Sequence, residues 1–99
     1  MTIDELTAGL PGEALVRAGL TDLEAGRRTV PALVVSMARR RFVRAGLLRS
    51  APSLAGDVEL ELYQQLLSEG GDAYSRYNAL IRELTSFERA LEWRLRRSG

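Results

Sequence analysis

The stretch from Asp72 to Arg97 reads DAYSRYNALIRELTSFERALEWRLRR, and its reading decides the fold class. Tyr77, Leu80, Ile81, Leu84, Phe87, Leu91 and Leu95 recur at helical spacing, so one face of a single α-helix gathers them all. Asp72 ahead of this segment is a good side-chain cap for the free amide groups of a helix start. At 1.5 Å per residue such a helix is about 38 Å long, and no other segment of the chain is long enough to cover it. Its end must therefore be covered by a second chain or wrapped by other parts of its own, because leaving Leu91, Trp93 and Leu95 in water is costly. The sequence-based expectation is a homodimer through this C-terminal helix, with Leu91, Trp93 and Leu95 at the contact. The alternative is that the first helix and a connector fold over the end.

Upstream, Gly70-Gly71 breaks the chain, and Asp57 caps a helix near residues 57 to 69. Val58-Glu59-Leu60-Glu61-Leu62 alternates with period two, as a strand would, but Leu60, Tyr63, Leu66 and Leu67 carry on at helical spacing. A lone strand would also leave its backbone unpaired. Residues 46 to 56 hold Ser50, Pro52 and Ser53 together with Leu47, Leu48 and Leu54, which predicts a connector lying across the core. Thr2-Ile3-Asp4-Glu5 and Thr21-Asp22-Leu23-Glu24 both fit a capping box and predict helix starts after Thr2 and Thr21. Pro11 suits a first helical position, and Thr29 caps a start at Val30-Pro31. The pentapeptide Val-Arg-Ala-Gly-Leu occurs at residues 16 to 20 and 43 to 47. It reads as two copies of one helix stop, in which a left-handed glycine lets Leu20 pack on Leu15 and Leu47 on Phe42. Six helices follow, near residues 3 to 9, 12 to 18, 22 to 28, 30 to 45, 57 to 69 and 72 to 97.

With 99 residues the chain fits a single domain over residues 1–99, able to bury roughly 60 to 65% of its unfolded surface. Its 17 Leu and 12 Ala against 6 Val and 2 Ile favour helix. The fold class is all-α: a small orthogonal or bundle-like domain of five to six helices with a long C-terminal helix. The sequence has no Cys, His or Lys, so it offers no disulfide framework, no thiolate, no imidazole base and no donor set for zinc, copper or haem. No catalytic, cofactor or metal site is expected. Glu59 and Glu61 diverge on a helix, Glu88 and Glu92 sit among arginines, and Gly70-Gly71 lacks the lysine and spacing of a phosphate loop. Without a charged-then-apolar leader or an apolar run near 18 residues, the chain reads as cytoplasmic and not membrane-bound. Complete use of Arg in place of Lys fits a GC-rich genome.

The formal net charge of +1 conceals four blocks. Residues 1–26 carry −4, 27–49 carry +7, 50–72 carry −5 and 73–99 carry +3. Alternation of this kind suits helices that meet with complementary faces, within one chain or across a dimer. Arg39, Arg40, Arg41, Arg44 and Arg49 form the densest cluster. They could meet the phosphates of a nucleic acid, or they could serve the helix dipole and pair with acids. On a single helix over 30 to 45, Arg41 shares a side with Val30, Leu33, Val34 and Met37, which points it at a neighbour and makes Glu59 or Glu61 its natural partner. Tyr74, Arg76, Tyr77 and Asn78, at the start of the last helix, could line a polar pocket with free amides ready for an anion. Tyrosines at that spacing also suit a core or an interface.

Leu23-Glu24-Ala25-Gly26-Arg27-Arg28-Thr29, after Ala18-Gly19-Leu20-Thr21, resembles the Glu-x-Gly-Arg segment of phage-repressor-type helix-turn-helix domains. The match spans about a tenth of the chain. Asp22 and Glu24 would face phosphate badly, and Leu15 stands where that turn uses a small residue, so no family is assigned on it. The expected function is that of a small helical protein–protein interaction module, an adaptor, regulatory or assembly subunit. The alternative is a weak nucleic-acid binder using the arginines of the fourth helix.

Overall fold

The computed structural model describes residues 2–48 and 54–98. Arg49 lies outside the described residues, as does the middle of the connector. Among the described residues the chain is all-helical, with α1 at Ile3–Thr7, α2 at Glu13–Glu24, α3 at Val30–Ser36, α4 at Arg39–Arg44, α5 at Val58–Ser68 and α6 at Ala73–Ser98. The 26-residue α6 is about 39 Å long at 1.5 Å per residue, against a longest molecular dimension of 42 Å. It is the axis on which the other helices are laid.

Most starts form as their sequences require. Thr2 accepts a hydrogen bond from the Glu5 amide and its hydroxyl reaches the Glu5 carboxylate. Thr29, Asp57 and Asp72 accept from the amides of Ala32, Leu60 and Ser75. The stop after Arg44 is a Schellman motif: Gly46 is left-handed at φ +81°, its N–H donates to the Val43 carbonyl and that of Leu47 to the Phe42 carbonyl. Leu47 and Leu48 are buried, so the described start of the connector does enter the core.

Two boundaries depart from the sequence reading. The helices expected at 12 to 18 and 22 to 28 are one continuous helix, α2, and the stop lies at left-handed Gly26 instead of Gly19. Val16, Leu20 and Leu23 extend a single buried stripe through Gly19, so the helix gains more by continuing than by stopping. Thr21 is consequently mid-helix and caps nothing, and the turn of a helix-turn-helix is absent at Ala18–Thr21. Gly19 has a packing role instead. A Cβ added there would overlap the Val35 side chain and the Pro31 carbonyl oxygen, so its absence lets α2 and α3 cross closely.

The helix expected over 30 to 45 is broken at Met37–Ala38 into α3 and α4. The Ser36 hydroxyl donates to the Leu33 carbonyl at 2.8 Å, the acceptor that the Met37 N–H would use in a continuous helix. Met37 and Ala38 instead bond to Val34 and Val35, three residues back, which tightens the chain and redirects it. The turn delivers Phe42 to Phe87 of α6, ring centroids 5.8 Å apart and edge to face, an arrangement worth about 0.5–1.5 kcal/mol beyond its burial.

Core and termini are tied by two arginines. Arg28 grips Glu61 with its fork, Nε lying 2.8 Å from Oε2, and donates to the Ala55 carbonyl, fastening the α2–α3 corner to α5. Arg94 of α6 donates to the carbonyls of Glu5, Leu6 and Ala8 at 3.3, 3.1 and 2.7 Å. Those are acceptors left over at the end of α1, so Arg94 caps that helix from the far end of the chain. The wrapping alternative for the end of α6 is thus realised on one side, by α1.

Candidate functional site

The break at Met37–Ala38 sets the position of the arginine cluster. Because α4 does not continue the turn of α3, Arg41 does not share the buried side of Val34 and Met37. It is exposed, and it pairs with Glu88 of α6 and not with Glu59 or Glu61. Glu61 is taken by Arg28, whose guanidinium holds the carboxyl below the usual glutamate range while its own pKa is raised. Arg39, Arg40 and Arg44 make no ion pair with any described residue, and neither does Arg89 on α6.

These side chains border two adjoining grooves between α4 and α6, of about 590 and 390 Å³. The larger runs between Arg41, Arg44 and Arg89, with Ala45 and Leu95 on its apolar wall and Thr85, Glu88 and Glu92 along α6. The smaller adds Arg39 and Arg40 around the end of α3. Five arginines against two glutamates leave this end of the molecule basic. The block pattern is only partly neutralised inside the chain: three of the seven ion pairs among the described residues, Arg27–Asp22, Arg28–Glu61 and Arg76–Glu69, join blocks of opposite sign.

The trio proposed from sequence as a dimer contact is split. Leu91 is 4% exposed and belongs to the core, so it cannot serve a surface contact. Leu95 sits at the groove. Trp93 is exposed on another side of α6, where the Arg97 guanidinium lies over its ring at 5.9 Å.

The members of the tyrosine segment have different neighbours. At about 100° per residue Tyr74, Tyr77 and Asn78 fall within about 100° of one another on α6, and Arg76 lies on the opposite side. Arg76 pairs with Glu69. The Tyr77 ring packs edge to face on Tyr63 of α5, centroids 6.1 Å apart. Burial raises its hydroxyl pKa, assisted by the carboxylates of Glu59 and Asp57. Tyr74 remains 67% exposed.

What the tyrosines mark instead is an apolar seam. Leu60 and Leu67, seven residues apart and hence on one side of α5, are 53% and 56% exposed. Half-buried Tyr63 lies between them and meets Tyr77, so the exposed edges of α5 and α6 join into one surface of Leu60, Tyr63, Leu67, Tyr74 and Tyr77. Sequence reasoning treated Leu60 and Leu67 as part of a helical stripe without separating the buried from the exposed members. In the structure Leu62 and Leu66 fill the buried side of α5, with Val58 and Tyr63 packed beside them, which leaves Leu60 and Leu67 outside.

Among the described residues every buried side-chain nitrogen or oxygen has a partner, and no group of three acidic side chains converges as a metal site. No described helix is long and apolar enough to cross a membrane. Compared with protein-family models, curated proteins and solved structures, the chain matches none. The two surfaces along α6, one apolar and one basic, therefore carry the functional reading by themselves.

Proposed function

We propose that this protein is a non-catalytic, protein-binding helical module whose contact surface is the α5–α6 seam. One observation carries the reading: Leu60, Leu67 and Tyr74, three large side chains more than half exposed, stand on the two helices that the Tyr63–Tyr77 contact joins, outside the buried core. Contiguous apolar surface of this kind is costly in water and marks an association site. Tyrosine in particular supplies contact area at low entropy cost, with a hydroxyl suited to an interface rim.

A second reading, nucleic-acid binding through Arg39, Arg40, Arg44 and Arg89, is favoured by the absence of ion pairs at these four among the described residues. Against it stand Glu88 and Glu92 in the same groove, which would repel phosphate. In-cell cross-linking with mass spectrometry separates the two. Protein adducts that vanish on Leu60→Glu/Leu67→Glu and survive Arg40→Glu/Arg44→Glu support the first. Free chain without adducts, combined with salt-sensitive retention on DNA or RNA, overturns it in favour of the second.

A further inference from the structure

We infer that the solvent face of α6 binds single-stranded nucleic acid, with four arginines for the phosphates and Trp93 as a platform for a base. This surface is distinct from the α5–α6 seam and goes beyond the protein-binding reading. At 100° per residue, Arg82, Arg89, Trp93, Arg96 and Arg97 fall within a sector of about 100° and span about 22 Å along the axis. All five are exposed, Trp93 by 61%. The sector holds no acid, because Glu83, Glu88 and Glu92, the acids of α6, all project outside it. Its other members are serine, asparagine and alanine. The glutamates of the groove between α4 and α6 therefore do not interrupt this stripe.

Most of this charge has no counterpart in the fold. Arg82, Arg89 and Arg97 make no ion pair with any described residue. Arg96 pairs with Glu92, but the two side chains are 71% and 64% exposed, and so solvated a pair is weak enough to exchange its carboxylate for a phosphate. The helix dipole accounts for Arg96 and Arg97 in the last turn, but not for Arg82 and Arg89, which stand well before it. The Arg97 guanidinium lies 5.9 Å from the centre of the Trp93 ring, so a phosphate contact and an aromatic plane stand side by side. Composition selects the class of partner. A helix that lies in a membrane surface needs a broad apolar face, and a paired acidic helix needs apolar residues every three or four positions. Trp93 is the one large apolar side chain in the sector. A single strand asks for neither: it binds through cations along its backbone and aromatic rings beneath its bases.

Trp93 is the sole tryptophan, so its fluorescence reports on this face alone. Titration with an oligothymidine of about 12 nucleotides at low salt should quench it. Log Kd should rise with log salt at a slope of about 2.8, roughly 0.7 for each of four phosphates. Arg82→Gln/Arg89→Gln keeps good helix formers at exposed positions, and should weaken binding and lower the slope to about 1.4. Trp93→Ala, followed by the anisotropy of a labelled oligothymidine, should weaken binding about tenfold at an unchanged slope, because stacking releases no counterions. Arg40→Gln/Arg44→Gln in the groove and Leu60→Gln/Leu67→Gln on the seam should each change the affinity far less than Arg82→Gln/Arg89→Gln does. Absence of quenching at low salt overturns the inference, as does binding that the groove variant abolishes and Arg82→Gln/Arg89→Gln leaves intact. Tighter binding to phosphatidylserine vesicles or to polyglutamate than to oligothymidine overturns it as well, and assigns the face to a membrane or to an acidic protein.

Discussion

Replacing Gly19 by alanine sets two effects of opposite sign against each other. Gly19 lies inside α2, with ordinary helical backbone, and alanine in a helix interior is favoured over glycine by about 0.5–1 kcal/mol. The new Cβ, however, would overlap Val35 and the Pro31 carbonyl oxygen and lie 2.9 Å from the Pro31 carbonyl carbon. Val35 can shift, but the Pro31 backbone belongs to the first turn of α3 and can yield only if the whole α2–α3 crossing opens. Overpacking of this kind costs about 1–3 kcal/mol, so the net expectation is a loss of about 1–2 kcal/mol. For a domain of this size each kcal/mol lowers the melting temperature by about 4–8 °C. Ala18→Gly, on the exposed side of the same helix, isolates the propensity effect and should cost about 0.5–1 kcal/mol. Gly19→Asn distinguishes steric packing from a helix stop: asparagine tolerates the left-handed conformation that a stop needs, but it is bulkier than alanine. Thermal and urea unfolding should rank wild type above Gly19→Ala above Gly19→Asn. A Gly19→Ala protein as stable as wild type, or an asparagine variant better than the alanine one, would refute the close crossing.

Three further outcomes follow from the same structure. Gly46→Ala should cost about 1 kcal/mol through left-handed strain alone, since no atom lies within 4 Å of the added Cβ, and Gly46→Asn should cost less; urea midpoints at unchanged slope measure both. The Glu61 carboxyl is held below its ordinary pKa by Arg28, so its pairing stabilises the fold above the unfolded-state value and is lost as pH falls through the lowered folded-state value. The melting-temperature gap between wild type and Glu61→Gln should therefore shrink as pH drops from about 5 to 3. Arg94→Met keeps the apolar stem but removes three bonds to carbonyls, which should cost about 1–2 kcal/mol and raise hydrogen exchange first at the amides of α1, as mass spectrometry of the exchanged chain would report.

Local chemistry made much of the architecture legible in the sequence. Thr2, Thr29, Asp57 and Asp72 cap the helices that their positions promise, and the long stripe from Tyr77 to Leu95 does belong to one helix. The errors arose where identical words meet different surroundings. Val-Arg-Ala-Gly-Leu ends a helix at Gly46, yet at Gly19 the same five residues continue one, because Leu23 lies one helical turn ahead to extend the stripe and Pro31 lies across from it. Ser36 gave no warning of a break, since its bond to Leu33 competes only weakly with a helix unless the core rewards the redirection, as Phe87 does for Phe42. That break in turn moved Arg41 away from the acids of α5. For the candidate site, residue types were visible but not their neighbours. The arginines of α4 could be named, whereas Arg89 joined them only once α4 was laid against α6. The seam emerged only after Leu62 and Leu66 had been seen to occupy the buried side of α5.

The capping of α1 by Arg94 bears on the order in which the chain acquires its structure. A helix of five residues is far below the length at which helices persist alone in water, and the main packing surface for α1 is α6. During synthesis α1 thus lacks its support until α6 has been made. Its closing contacts span 86 to 89 positions of sequence, which places them among the slowest to form. Residues 3 to 7 should accordingly be the last part of the fold to become protected, and a chain stalled before Arg94 emerges would hold α2, α3 and α5 together while its beginning stayed unwound.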